Sequence, residues 1–214
     1  MNSHDIIRQA IKKTSAKQIA GAIGVSPSLV YKWTEPELDK DGAVATTSIT
    51  NLDVHDIARA ATSYGCDAFY VVTPVSAQQE MARRIVGFWE EGPGVRRNPD
   101  RTTAMRIVHV VASVEEARAA EEKALGAPTL LVATSAKPQG ATHASVLRAR
   151  LPQERGALLL FGTGHGLAPS LIDGADLVLA PLPGRPERNG GYNHLSVRSA
   201  VAIHLDRLLS VDAP

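Results

Sequence analysis

The spacing of apolar residues changes near residue 40. Up to that point they recur at every third or fourth position, which predicts helices over 5–13 and 16–23. Beyond it, short apolar runs alternate with helical patterns. The runs predict buried strands over 67–72, 106–111, 129–133, 157–161 and 176–180, and the helical patterns predict helices over 55–63, 77–88, 114–125, 143–150 and 196–210. Such alternation predicts an α/β fold, in which helices cover both faces of a parallel sheet.

Cap and turn residues favour a small all-α helix-turn-helix segment before that fold. Ser15 and Gln18 form a capping box for the second helix, and Gly24 suits the turn after it. Ser26 and Pro27 are typical of an N-cap and a first helical residue, so they predict a third helix. The predicted layout is a helix-turn-helix segment over 1–34, a linker over 35–42 and an α/β domain over 43–214.

Composition excludes several classes of protein. The chain has 214 residues, 44% of them hydrophobic, so it can build a core, and a single cysteine excludes a disulfide framework and a multi-cysteine zinc site. The seven histidines lack ligand spacing, so no metal site is expected. We expect a cytoplasmic protein, because no signal peptide and no apolar run of about 20 residues is visible. The net charge of +1 divides into +4 over residues 1–33 and −3 over the rest.

Three stretches carry candidate chemistry, and the first opens the helix predicted near residue 55. Asn51, Asp53, Asp56 and Arg59 lie just before this helix and within its first turns. In an open α/β sheet, ligands bind at the carboxyl ends of the strands, where such segments lie. Asp53 suits an N-cap, so a capped helix with solvated charges remains the alternative interpretation.

The second stretch is a glycine-rich turn after the strand predicted over 157–161. Glycines occupy alternate positions, Gly162, Gly164 and Gly166, with Thr163 between the first two and Leu167 after the third. Glycine lets a ligand approach the backbone closely. The spacing differs from the dinucleotide fingerprint, and no acidic residue follows at the required distance, so a nicotinamide site is disfavoured. A tight strand-to-helix turn is the alternative.

The third stretch is a loop rich in proline, glycine and arginine that leads into the last helix. It carries Arg185 and Arg188, and Asn193 and Ser196 stand shortly before small residues of the helix. Small residues allow close packing of helix backbones. By itself the stretch is typical of a loop followed by a C-terminal docking helix.

Together the three stretches resemble the motifs of the SPOUT superfamily of knotted, S-adenosylmethionine (SAM)-dependent RNA methyltransferases. Asn51, Arg59 and the Tyr64-Gly65 pair resemble the first motif of the SpoU type, the glycine turn the second, and Asn193 with Ser196 the third. The chain is still more similar to one bacterial family of SAM-dependent RNA methyltransferases. Five blocks carry that resemblance: Thr50 to Arg59, Tyr70 to Pro74, Leu131 to Ala136, Leu160 to Gly164 and Tyr192 to Ala200.

The resemblance implies a C-terminal trefoil knot that holds SAM, a homodimer, and methyl transfer to rRNA or tRNA. If the acceptor is a ribose 2′-hydroxyl, Arg59 is the implied activator; if it is a base nitrogen, Asp53 or Asp56 is the nearest carboxylate. Asn51, which matches the first motif, is a further implied catalytic residue. The implied cofactor residues are Thr134, Ser135, Gly162, Thr163, Gly164, Gly166, Leu167, Leu182, Gly184, Asn193, His194 and Leu195. The candidates for RNA phosphate contacts are Arg96, Arg97, Arg185 and Arg188.

The chain departs from the family in two places, which leaves other functions open. The stretch 29–33 serves either as the third helix or as the first strand of the family, and His165 stands where an aromatic residue is expected. One alternative is a DNA-binding regulator that contacts DNA through residues 15–33 and dimerises or senses a ligand through its second domain. Another is a scaffold without turnover.

Overall fold

The described part of the chain is an α/β domain. The computed structural model describes residues 26–32, 37–38, 44–45, 49–136, 141–164 and 166–211. The strands are β1 (Ser26–Lys32), β2 (Glu37–Leu38), β3 (Val44–Ala45), β4 (Ala68–Val72), β5 (Val108–Val111), β6 (Leu130–Thr134), β7 (Gly156–Phe161) and β8 (Leu177–Leu179). The helices are α1 (Asn51–Ser63), α2 (Ser76–Glu90), α3 (Gly94–Arg97), α4 (Pro99–Met105), α5 (Val114–Leu125), α6 (Ala144–Arg150), α7 (Pro169–Asp173), α8 (Pro186–Asn189) and α9 (Val197–Leu209), with a 3₁₀ turn over Leu151–Gln153.

Six strands form one parallel sheet in the order β5-β4-β1-β7-β6-β8, and β2 pairs with β3 in a separate antiparallel ribbon. The predicted parallel α/β fold is therefore confirmed. All five predicted strands and all five predicted helices of this domain are present, and α5 has the predicted bounds. Helices α3, α4, α7 and α8 have at most seven residues, too few to show a clear helical spacing.

The third helix predicted from Ser26 onwards is wrong. That stretch is β1, which lies between β4 and β7, with Val30 opposite Tyr70 on one side and Leu160 on the other. Pairing on both edges satisfies its backbone hydrogen bonds, and this tertiary gain outweighs the local helix signals. The DNA contact predicted through residues 15–33 thereby loses its recognition helix. The two earlier predicted helices lie outside the described residues.

The sheet is buried on both faces, as in other parallel sheets. Alternate residues of β7 point to opposite sides: Leu159 and Phe161 pack with α1 and α9, whereas Leu158 and Leu160 pack with residues of α5 and α7. Cys66 lies in the core on the side of the sheet that α1 and α9 cover. Its burial raises the thiol pKa to about 12, as expected of a small core residue. In the part of the chain that the structure describes, no helix has the length and apolar character of a membrane span.

Candidate active site at the carboxyl edge of the sheet

Helices α1 and α9 lie side by side and run in the same direction. Near their first turns, Arg198 Nε lies 3.0 Å from Asp53 Oδ1, and Arg198 Nη1 donates to Asp56 Oδ2 over 2.9 Å. Near their ends, the Tyr64 hydroxyl donates to Asp206 Oδ1 over 3.0 Å, a bond that raises the tyrosine pKa. The first and third candidate stretches, far apart in the sequence, therefore meet at the starts of the two helices, and a second contact joins the helix ends.

Polar caps fix where each of these helices begins. The N-cap of α1 is Thr50, whose hydroxyl accepts from the Asp53 amide over 3.2 Å and donates to the Asp53 carboxylate. Asp53 is thus the third helical residue, and its predicted position as the N-cap is wrong. At the start of α9, Ser196 Oγ accepts from the Ser199 amide over 3.3 Å. Both candidate stretches enter their helices at defined positions.

A surface cleft of about 530 Å³ runs between the two helices. It is lined by Asp56, Arg59, Ala60, Ser63, Ser196, Arg198, Ser199 and Ala202. The Arg59 side chain is exposed there, and no described residue forms a hydrogen bond or ion pair with its guanidinium. Asn51 is exposed in the first turn of α1 and is not among the lining residues.

The opposite face of α1 is buried. His55 Nε2 accepts a hydrogen bond of 3.1 Å from Trp89 Nε1, and the two rings meet edge to face. Burial, aided by the charge of Arg101, lowers the pKa of His55. A neutral imidazole held by an indole N–H is a core contact, so the cleft chemistry belongs to the other face of the helix.

The glycine turn after β7 is closed on itself. A Cβ added to Gly162 would lie 2.2 Å from the carbonyl carbon of Gly166, and the Gly166 amide donates to the Thr163 carbonyl over 2.6 Å. Gly164 and Gly166 adopt φ values of +41° and +97°, which favour glycine. The turn therefore needs glycine for its own geometry and leaves backbone exposed at the sheet edge.

Three strand ends meet beside this turn, because β6 lies between β7 and β8 in the sheet. At the end of β6, Thr134 Oγ1 donates to the Leu160 carbonyl of β7 over 2.8 Å. After β8, the Leu182 carbonyl accepts from Asn193 Nδ2 over 3.1 Å, and a Cβ on Gly184 would lie 3.0 Å from Asn193 Oδ1. The structure thus gathers most of the predicted cofactor residues at one edge.

The remaining predicted cofactor residues differ in burial. Leu167 and Leu182 are buried, and Ser135 is half-buried at the end of β6. His194 is exposed, with its ring 5.3 Å from that of Tyr192, and Leu195 keeps 48% of its surface exposed. Leu167 and Leu182 are therefore the two buried leucines of this set. His165 lies outside the described residues.

The predicted phosphate contacts fall in two separate places. Arg96 and Arg97 are exposed in the last turn of α3, whereas Arg185 and Arg188 are exposed around the start of α8, in the loop that leads to Asn193. Among the described residues, no three His, Cys, Asp or Glu side chains are grouped as a metal site would require.

Arg198 is the site residue that the sequence analysis did not single out. It lies inside the block Tyr192 to Ala200, but nothing in that block indicates its partners. The sequence carries one signal, a cation in the first turn of a helix, where the helix dipole disfavours it. Its two carboxylate partners lie about 140 positions earlier, and only the fold brings them together.

A sequence model of the family described as SAM-dependent RNA methyltransferase matches residues 29–210. The chain belongs to this family. Its members are SAM-dependent, which confirms the predicted methyl donor, and the match begins at residue 29, within β1.

Proteins related in sequence to this chain match it over different shares of their own length. A tRNA (guanine-N(1)-)-methyltransferase from Nitratidesulfovibrio vulgaris is 47% identical over 178 residues, and one from Oleidesulfovibrio alaskensis is 42% identical over 174 residues. Each match covers 81% of this chain but 40% of the relative. An uncharacterised protein of Aquifex aeolicus is 38% identical, over 82% of this chain and 84% of its own length. The chain thus spans about two fifths of the two relatives with a named activity.

Solved structures share the fold at low sequence identity. A methylase-family protein from Neisseria gonorrhoeae has a TM-score of 0.58 at 16% identity, covering 90% of this chain and 85% of its own. The SpoU methyltransferase AviRb from Streptomyces viridochromogenes, in complex with AdoMet, has a TM-score of 0.53 at 15% identity, covering 87% and 58%. The chain therefore has the mixed α/β fold with a parallel sheet found in SpoU methyltransferases.

Proposed function

We propose that this chain transfers the methyl group of SAM to a ribose 2′-hydroxyl of RNA, with Arg59 acting on the acceptor oxygen. The observation that carries the proposal is the contrast between the charged groups of α1. Asp53 and Asp56 are both engaged by Arg198, whereas the Arg59 guanidinium is exposed and unpaired among the described residues. A carboxylate held by a guanidinium is a poor base for a ring nitrogen, but a free guanidinium suits a developing oxyanion.

The carboxyl edge of the sheet fits the methyl donor. Leu167 and Leu182 form an apolar base, and the glycine turn and the Gly184 loop offer backbone groups to a nucleoside and an amino acid. The hydrogen bond from Asn193 to the Leu182 carbonyl fixes the segment after β8, which forms a further side of the pocket. An apolar pocket with a few placed polar groups is the usual composition of such a site. Thr134, Ser135, Thr163, His194 and Leu195 complete the proposed lining.

When bound, SAM supplies a methyl group that is already electrophilic because it is carried on a sulfonium. The cleft orients the ribose so that its 2′-oxygen faces that carbon, and the guanidinium of Arg59 stabilises the negative charge that grows on the oxygen. The oxygen–carbon bond forms as the carbon–sulfur bond breaks, and the hydroxyl proton passes to water. Arg59 serves as an electrostatic stabiliser, since its side chain stays protonated and cannot act as a base.

A trefoil knot in the C-terminal part is a further element of the proposal. β8 lies between β6 and Thr142: it pairs with β6 on one side, and Leu179 is bridged to Thr142 on the other. The chain therefore passes from β6, on one side of β8, to Thr142, on the other side, before it forms β8 itself. This arrangement supports a loop through which the segment after β8 passes.

A homodimer is proposed from the apolar surface around the cleft. Leu52, in the first turn of α1, and Tyr192 and Leu195, just before α9, keep 61%, 65% and 48% of their surface exposed. The Asp53–Arg198 pair places the starts of these helices together, so the three side chains lie at the same end of the cleft. The molar mass measured by light scattering tests this part, and a monomer at all concentrations would contradict it.

The RNA partner is proposed to be a tRNA or rRNA, contacted through Arg96, Arg97, Arg185 and Arg188. All four side chains are exposed and can reach phosphates. Methylation of guanine N1 is the second candidate reaction, because the two named relatives carry that activity in their names. About three fifths of each of those proteins lies outside the match, so the named activity can reside there. A cytoplasmic location is part of the same proposal.

The deciding experiment uses total RNA from a strain that lacks the gene. The purified chain is incubated with this RNA and methyl-labelled SAM, and the labelled nucleosides are identified by mass spectrometry. We expect a 2′-O-methylnucleoside, and we expect Arg59→Ala to lower kcat by about a hundredfold, as the loss of an oxyanion donor does elsewhere. Arg106→Ala, at an exposed arginine that ends α4 outside the cleft, is the matched control.

Each part of the proposal has its own contrary outcome. If 1-methylguanosine is the sole labelled product, the acceptor is the guanine base and the proposed ribose acceptor is wrong. Full activity of Arg59→Ala would remove Arg59 from the mechanism. Absence of SAM binding in calorimetry at millimolar donor would overturn the donor pocket.

A further inference from the structure

The charged residues near the start of α1 are spaced closely enough to interact with one another. Asp53, Asp56 and Arg59 follow at intervals of three, which places them on adjoining parts of one helix face. Asp56 and Arg59 both line the cleft. An aspartate three residues before an arginine is an arrangement that forms an ion pair within a helix. Left to themselves, Asp56 and Arg59 would be expected to pair.

They do not pair here, because Arg198 from α9 holds both carboxylates. Its Nη1 donates to Asp56 over 2.9 Å, and its Nε lies 3.0 Å from Asp53. The Asp53 side chain is 16% exposed and that of Arg198 is 36% exposed, so this pair is screened by water less than a fully exposed pair would be. The competition between the two arginines is thus decided in favour of Arg198.

We propose that Arg198 is a positioning residue that keeps the Arg59 guanidinium available by occupying Asp53 and Asp56. The inference rests on the proposed function, in which Arg59 acts on the acceptor oxygen. Removing Arg198 has two consequences. Asp56 becomes free to bind Arg59, and the four charges of the group change from a net of zero to a net of −1 in a cleft that must accept the RNA polyanion.

A merely structural link between α1 and α9 makes a different prediction, and a double substitution separates the two roles. If Arg198 only holds the helices together, removing Asp56 as well leaves that link broken and does not change what the Arg59 guanidinium binds. If Arg198 instead prevents Asp56 from capturing Arg59, Arg198→Met should be corrected by Asp56→Asn, because asparagine keeps the shape of aspartate but carries no charge for Arg59 to bind.

The experiment compares the wild-type chain, Arg198→Met and Arg198→Met/Asp56→Asn in two assays. In the RNA methylation assay we expect kcat to fall about tenfold in the single variant and to recover to within about threefold in the double variant, with the Kd for SAM unchanged in all. Arg207→Met is the matched control, because it lies nine residues further along α9 and therefore on the opposite side of the helix.

The second assay does not depend on methyl transfer. Nitrogen-15 NMR of the arginine Nε–H groups, with Arg59 assigned from an Arg59→Lys variant, reports whether its guanidinium is bound. We expect the Arg59 signal to shift in Arg198→Met and to return in the double variant, even if the chain methylates none of the RNA offered. An unmoved Arg59 signal in Arg198→Met, or a double variant no more active than the single one, would overturn the inference.

Discussion

The turn after β7 excludes any side chain at its first residue. Gly162 faces the carbonyl group of Gly166 so closely that a Cβ would come within 2.2 Å of backbone, which cannot move aside as a flexible side chain can. The sequence left open whether this glycine run admits a ligand to the backbone or only forms a tight turn, and spacing alone could not tell which glycine is indispensable. Gly164 and Gly166 are needed for their positive φ values, whereas Gly162 is needed for space.

Gly162→Ala should therefore open the turn that walls the proposed donor pocket. We expect a loss of about 1–3 kcal/mol in the free energy of unfolding, the usual range for an overpacked site, and weaker SAM binding in calorimetry. Gly87→Ala is the control, because nothing lies within 4 Å of its added Cβ in the last turn of α2, and alanine should stabilise that helix by up to about 1 kcal/mol. Unchanged SAM affinity in Gly162→Ala would contradict the assignment of this turn.

At the scale of elements, the central strand decides the architecture of the sheet. β1 is hydrogen-bonded on both edges, so the sheet is continuous only through it. Its local sequence carries helix signals, Ser26 and Pro27, and its partners come from about 40 and 130 residues further along the chain. A method that examines neighbours in the sequence cannot weigh such partners, and this is why the third helix was predicted wrongly.

A proline in β1 should destabilise the whole α/β domain. Val30→Pro removes an amide from a central strand and leaves a carbonyl without its partner, which costs about 1–3 kcal/mol in the free energy of unfolding for that bond alone. Trp89, buried beside α1, reports unfolding in urea by its fluorescence in a Trp33→Phe background. Val211→Pro, at an exposed residue after α9, should change stability by less than about 0.5 kcal/mol. A proline at Val30 that left the transition of Trp89 unchanged would favour an independent N-terminal helix.

The strands and helices that the sequence did predict share one property, a pattern contained within the element. β7 is a run of six buried residues, and α5 is bounded by Ser113 as N-cap and by Gly126 at φ +64°. The pairing of Arg198 with Asp53 and Asp56 has no such local trace, because it depends on two helices meeting across the fold. The sequence motifs identified both halves of the cleft, and the fold supplied the contact between them.

At the scale of the whole molecule, buried histidines make stability depend on pH. Burial, with a smaller effect of Arg207, lowers the pKa of His204 from 6.5 to about 4, and its ring packs against Phe161 of β7. The unfolded chain binds a proton near pH 6.5, whereas the folded chain does so only near pH 4. Between these values the unfolded state holds more protons, so stability falls as the pH falls.

We expect the free energy of unfolding to be about 2 kcal/mol lower at pH 5 than at pH 7 on account of His204. His204→Leu should remove this part of the slope, and the lowered pKa of His55 should leave a smaller slope of the same sign. His109→Gln, at an exposed histidine of β5, is the comparison. Urea unfolding at both pH values measures the difference, and an equal slope in wild type and His204→Leu would contradict it.

The place of β1 in the sheet also determines how long one edge of this strand lacks its partner while the chain is synthesised. One of its partners, β4, ends at Val72 soon after it, but the other, β7, begins only at Gly156. At the usual 5–20 residues per second a ribosome needs roughly 4–17 s to make the chain between them. For that interval one edge of the strand has no partner of its own, and an open edge can pair with another chain. Slow translation of this stretch would therefore lengthen the period in which a nascent chain can aggregate.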